Sequence, residues 1–301
     1  MKHRRAERGG IGIPDDELPN TIPPKSEVPQ GGAKQEQCDA FWGVNQPSYG
    51  AKPNQLRFLW FQPEAVPKNF AAVIYGQRRS GKTCWLLWFM WCMQHDFDRV
   101  VCYSSTNFKG EFQKVMNPKL CFPHYDEASL NAVLEEQAAT PADKRERVLI
   151  ILDDVLDQEN IFRKKGTQNA LVRAYTMGRH YGISVIMCTQ YARSIPTAWR
   201  RNVDFAVIFY TFSADMAEIY YKEYGALLSR SQFMSILSQA THDHTALVVR
   251  PCTKSREMID YYQLSQAIPP EKCPKFTIGR MPEDEKEEAP PPQPPPGPTF
   301  F

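Results

Sequence analysis

Six short apolar runs recur through the middle of the chain: Ala71–Tyr75, Val100–Tyr103, Val148–Leu152, Ile183–Cys188, Phe205–Tyr210 and Thr245–Val249. They are nearly continuous rather than alternating, the pattern of strands buried on both faces of a parallel sheet. The longer stretches between them carry helical signals. In Asp126–Gln137, residues Leu130, Val133 and Leu134 fall at i, i+3 and i+4 behind a capping Asp126. In Ser213–Tyr224, Ser213 is the cap and Gly225 the stop. Strand and helix alternate over about 190 residues, which predicts an α/β fold. A mainly parallel central sheet is flanked by helices and joined by right-handed crossovers. No internal repeat is present.

The pattern fades towards both ends. Residues 1–56 are rich in Pro, Gly and charge without periodicity and read as an extended or disordered arm. Residues 266–301 contain an acidic run, Glu283 to Glu288, then Pro290 to Pro298, Phe300 and Phe301. Proline cannot donate to a ladder, so this tail is expected to be disordered with polyproline II character. It is either a solvated tail or a docking segment. The folded domain is therefore expected over residues 57–265. Apolar residues make up 42% and charged residues 23%, which suits a globular core, and a net charge of +2 excludes a global field for nucleic acid. The eight cysteines are scattered with no CxxC pair, the usage of buried thiols in a reducing compartment. Lys2, His3, Arg4 and Arg5 are not followed by an apolar segment, so no secretory signal is read. The longest apolar run, Cys84 to Met93, is about half of what spans a bilayer, so no membrane anchor is expected.

Chemistry is concentrated after the first run. Gly76, Gln77, Arg78, Arg79, Ser80, Gly81, Lys82 and Thr83 spell GxxxxGK[ST] between a strand and a helix-length apolar stretch. Glycines let the backbone curl so that successive N–H groups converge on phosphates. Lys82 sets a point charge against the β- and γ-phosphates, and the Thr83 hydroxyl suits Mg²⁺. The helix N-terminus adds a favourable dipole. The run Val148–Leu152 ends in Asp153 and Asp154: the first suits a Mg²⁺ shell and the second points to a water at the γ-phosphate. Ile183–Cys188 runs into Thr189 and Gln190, where a glutamine can bond the γ-phosphate or the attacking water. Arg179 before that strand, and Arg200 and Arg201 after it, carry guanidinium groups suited to a transferring phosphoryl group. Trp85, Trp88 and Trp91 read as core packing.

These residues together resemble the FtsK–HerA superfamily of P-loop ATPases, and among them the genome-packaging ATPases of large DNA viruses of the poxvirus and giant-virus type. The likeness covers roughly residues 70–250, about three-fifths of the chain. GQRRSGKT, VLIILDD and above all the segment Gly178 to Phe209 carry it. The resemblance implies an enzyme that hydrolyses ATP with Mg²⁺ and translocates double-stranded DNA into a capsid. It implies Lys82 and Thr83 on nucleotide and metal, Asp153 on metal, Asp154 as catalytic acid, Gln190 as sensor and Arg179 as the arginine finger. The cellular branch usually carries Glu where this chain has Asp154, one methylene longer. The family's working form is a homo-oligomeric ring, usually a hexamer, around DNA. The implied location is the host cytoplasm at virus assembly sites, and the virion. Arg163, Lys164 and Lys165 form a basic cluster read either as a pore loop on DNA phosphates or as a solvated turn. The proline-rich tail is the candidate contact to capsid or other packaging proteins. Two other readings stay open: a small-molecule or nucleotide kinase on the same scaffold, and an ATP-dependent switch or assembly factor without motor activity.

Overall fold

The structure is a computed structural model; it describes residues 48–49, 56–105, 110–155, 169–255, 257–266, 269 and 274–282. The strands are β1 (Ser48–Tyr49), β2 (Leu56–Arg57), β3 (Leu59–Trp60), β4 (Ala71–Tyr75), β5 (Arg99–Ser104), β6 (Cys121–Phe122), β7 (Val148–Asp153), β8 (Ile183–Thr189), β9 (Phe205–Ile208), β10 (Thr245–Val249) and β11 (Tyr262–Gln266). Nine of them form one sheet in the order β3-β11-β10-β9-β4-β8-β7-β5-β6. All six apolar runs are strands in it. The fifth stops at Ile208, two residues short of its apolar run.

The sheet is parallel from β9 through β6, as continuous hydrophobicity predicts. One expectation fails: β10 is antiparallel to both β9 and β11. Hydrophobicity reports burial on both faces but not strand direction, and β10 is buried throughout. Alternate strand residues divide between two cores. Val73, Tyr75, Val101, Ile150, Leu152, Val185 and Met187 share one with helices α2 (Glu127–Ala139), α3 (Ala170–Met177), α5 (Ala214–Tyr224) and α6 (Arg230–Ala240). Ala72, Ile74, Val100, Leu149, Ile151, Ile186 and Val207 share the other with α1 (Lys82–Cys92).

Helix α1 is apolar on nearly every side, so it must be enclosed. Trp85 and Trp88 are buried in it as core residues, and Trp91 packs partly buried beside them. The helix caps fall where the sequence puts them: Asp126 Oδ1 accepts from Ala128 N at 3.0 Å, and Ser213 Oγ accepts from Met216 N at 3.3 Å. The short helix α4 (Thr197–Arg200) and α6, capped by a reciprocal Ser229–Gln232 box, were not anticipated.

The boundaries also shift. Within the expected arm, β1 pairs with β2. Within the expected tail, the main chain of Ile278 bonds Val115 at 2.8 Å and its side chain is buried with α1, so residues 274–282 belong to the folded body. The rest of both tails, 1–47, 50–55, 267–268, 270–273 and 283–301, lies outside the described residues. No disulfide joins the described cysteines; Cys102 and Cys188 are buried, whereas Cys84, Cys92 and Cys121 are only half-buried and Cys252 is exposed. Among the described residues, no helix is long and apolar enough to cross a membrane.

Candidate active site

The loop between β4 and α1 closes on itself. Gly76 N donates to Thr189 O at 3.2 Å, tying the loop's first residue to the end of β8. A Cβ on Gly76 would lie 2.3 Å from Ser80 Oγ and 3.0 Å from Phe209 Cβ, so a larger residue there would push the Ser80 side chain aside and crowd the loop. Gly81 has φ 107°, a conformation that costs a side-chain-bearing residue. Arg79 is also left-handed, at φ 67°. Lys82 is only 6% exposed, and its Nζ donates to Gly76 O at 2.8 Å and Gln77 O at 3.2 Å. A buried ammonium needs such acceptors, and here they line the loop itself. Thr83 follows at the second position of α1, half-buried.

The two acids reach this loop from β7. One strand, β8, separates β7 from β4, so the carboxyl ends of three parallel strands share one crevice, where ligands bind in open α/β sheets. Asp153 is buried, and Ser104 Oγ at the end of β5 donates to its Oδ2 at 2.9 Å. Asp154 turns out of the strand at φ 50°, and its N donates to Cys188 O at 3.2 Å. Asp tolerates the left-handed region better than most residues. The turn aims its carboxylate across β8, where Gln190 Nε2 donates to Asp154 Oδ2 at 3.1 Å. Ser105 Oγ holds the Asp154 carbonyl at 2.8 Å. The three groups share one field: burial pushes the Cys188 thiol up, the Asp153 and Asp154 charges add to that, and Lys82 opposes it.

A sequence profile of the poxvirus A32 protein matches residues 60–250. The chain belongs to the poxvirus A32 protein family. That membership sets it among the FtsK–HerA P-loop ATPases, as the residue pattern implied. Protein 088R of Invertebrate iridescent virus 3 is 26% identical over 196 residues, spanning 63% of this chain and 74% of its own. Protein 075L of Invertebrate iridescent virus 6 is 26% identical over 182 residues, spanning 59% and 69%. The genome packaging NTPase B204 of Sulfolobus turreted icosahedral virus 2, solved with AMP, superposes with a TM-score of 0.51 at 16% identity. That match spans 69% of this chain and 100% of that one, and it shows a shared P-loop NTPase fold.

The arginines of this A32-family chain divide. Arg200 is 8% exposed, and both its terminal nitrogens are engaged: Nη1 donates to Ala192 O and Ile195 O at 2.8 Å, and Nη2 pairs with Glu223 at 3.1 Å. Arg201 pairs with the same carboxylate at 2.7 Å. Arg200 is thereby held against the segment after Gln190, whereas Arg201, with a side chain 63% exposed, gives only its Nε to Glu223. Arg179 sits before β8, at the opposite end from Gln190, beside a cleft of about 580 Å³ that Lys68, Asn69 and His180 also line. Seven residues of β8, at about 3.3 Å each, put roughly 20 Å between Arg179 and the P-loop crevice. Arg179 therefore does not reach the loop of its own chain. Arg163, Lys164 and Lys165 lie outside the described residues.

Ser104 and Ser105 also line this crevice, outside the sequence motifs. Their signal was legible: they follow a predicted strand at its carboxyl end, by the same rule that singled out Gln190. His244, whose Nδ1 lies 3.1 Å from Ser80 O, gave no such signal because it comes from a turn 164 residues away.

Proposed function

We propose that this chain is a Mg²⁺-dependent ATPase that drives double-stranded DNA into a viral capsid. Membership of the A32 family and a P-loop NTPase fold support the ATPase reading. The observation that carries hydrolysis over phosphoryl transfer is the Gln190–Asp154 hydrogen bond beside the P-loop. It holds a carboxylate and an amide where a water attacking the γ-phosphate would need an acceptor and an orienting group.

The residues fit a magnesium triphosphate. Ser80 Oγ and Asp154 Oδ1 are buried in the crevice without a hydrogen-bond partner, atoms that a phosphate oxygen and a water would satisfy. Gly76 to Thr83 would wrap the phosphates, with Lys82 exchanging its loop carbonyls for phosphate oxygens. Thr83 and Asp153 would hold Mg²⁺, which when bound neutralises charge on the β- and γ-oxygens. A single buried carboxylate suffices, because Mg²⁺ keeps waters and takes substrate oxygens for the remainder. Asp154 accepts the water's proton while Gln190 orients the water. Arg179, remote from its own loop, acts on the crevice of a neighbouring subunit. That requirement supports a ring, hexameric by the family's usual form. Arg163, Lys164 and Lys165 supply sequence-independent phosphate contacts in its pore, and the proline-rich tail docks capsid or other packaging proteins. The folded motor spans about residues 57–282, acting at assembly sites in the host cytoplasm and carried into the virion.

The ATPase rate with and without long double-stranded DNA tests the motor reading. Stimulation that fades with salt and is absent in Lys82→Ala is the expected result. Lys82-dependent hydrolysis that ignores DNA would instead favour a switch or a kinase.

A further inference from the structure

Two aromatic-bearing segments rim the P-loop on the side away from the acids. The first leaves β9: Phe209 N donates to Tyr75 O at 2.9 Å, and its Cβ lies 3.0 Å from where a Cβ on Gly76 would sit. It is followed by Tyr210 and Phe212, whose rings meet edge to face with centroids 4.7 Å apart. The second is the turn between α6 and β10. There the His242 ring lies nearly parallel to Tyr210 at 6.0 Å, and His244 Nδ1 approaches Ser80 O at 3.1 Å. Asp243 and His244 both adopt positive φ, 50° and 61°, which bends this turn onto the loop. Phe212 is 82% exposed, the barest large apolar side chain among the described residues.

Sheet order gives this rim its meaning. β8 and β7, with Gln190, Asp153 and Asp154, lie on one side of β4; β9 and β10 lie on the other. A triphosphate whose γ end faces Asp154 and Gln190 sends its nucleoside towards β9 and β10. Charge at one end of the crevice and bare aromatic surface at the other match the two ends of a nucleotide. We propose that Phe212, backed by Tyr210 and His242, stacks on the base of the bound nucleoside triphosphate; this rests on the P-loop reading above. Stacking uses the π-face that every base presents, so it adds affinity without choosing between adenine and guanine.

Equilibrium binding of ATP, GTP and inorganic tripolyphosphate, each with Mg²⁺, tests it on the full chain and on Phe212→Ala, Phe212→Trp and Lys82→Ala. Phe212→Ala is expected to bind ATP and GTP about tenfold more weakly, to bind tripolyphosphate as the parent does, and to be rescued by Phe212→Trp. Lys82→Ala weakens all three. Undiminished ATP binding by Phe212→Ala, with Lys82→Ala still defective, overturns the stacking site and leaves the P-loop reading standing. An equal loss for tripolyphosphate also overturns it, because the ring would then be propping the loop. If Lys82→Ala binds all three normally, the nucleotide reading falls and the base site with it.

Discussion

At the scale of single residues, the crevice combines side chains that a fixed spacing reveals with others that only folding brings in. Gly76 to Thr83 was legible because the pattern runs over eight consecutive residues, and Lys82 Nζ lies against the carbonyls of Gly76 and Gln77. Gln190 and Asp154, 36 residues apart, meet through a sheet order that no local pattern encodes. Arg200 shows the opposite outcome: a guanidinium suited to phosphate is instead consumed by Ala192 O, Ile195 O and Glu223. Removing Arg200 takes the donor from Ala192 O and Ile195 O and leaves Glu223 with Arg201 alone, which sets the cost at the lower end of the about 3–5 kcal/mol for breaking a buried ion pair. Arg200→Ala is therefore expected to lower unfolding stability by about 3 kcal/mol in urea titration. A change below about 0.5 kcal/mol, with ATP turnover lost, would instead mark Arg200 as a group acting on phosphate.

Among the elements, the six continuous apolar runs were the readable part, since burial on both faces leaves an unambiguous pattern. Strand β11 was missed because Tyr262, Leu264 and their neighbours Gln263 and Ser265 alternate, and it pairs at the flank with β3 and β10. The direction of β10 was not legible for the reason given by burial itself. Ile278 was hidden in a segment whose composition reads as tail, yet it fills a place beside α1. Ile278→Ala should cost about 2–4 kcal/mol by calorimetry, the range for truncating a buried aliphatic side chain. No change would detach residues 274–282 from the core.

A further element-level prediction concerns pH. Arg99 on β5 grips Glu136 of α2 through two bonds of 2.7 and 2.8 Å, and this pairing holds the Glu136 carboxyl below its ordinary value near 4.5. A depressed carboxylate stabilises the fold above its unfolded pKa, and that contribution is lost as pH falls through the folded one. Glu136→Gln should flatten the fall in melting temperature below about pH 4.5 and leave a deficit near neutrality. An unchanged acid limb would contradict the pairing.

For the whole molecule, Arg179 and the P-loop stand at opposite ends of one sheet, so the proposed role of Arg179 in hydrolysis requires a second chain. Mixing Arg179→Ala subunits with Asp154→Ala subunits should restore part of the hydrolysis that each lacks alone, because some junctions then combine an intact arginine with an intact acid. Mixed rings without rescue would remove Arg179 from the chemistry. Everything above the level of the fold depends on the crevice between β4 and β7 being hydrolytic. The most direct test is ATP turnover by Asp154→Asn, with ATP affinity measured on the same protein. Asparagine keeps the size of the side chain but cannot take a proton. ATP affinity should stay within about threefold, while the turnover rate drops by about 10²–10⁴, the span attributed to a positioned base. Full turnover in that variant would contradict the account.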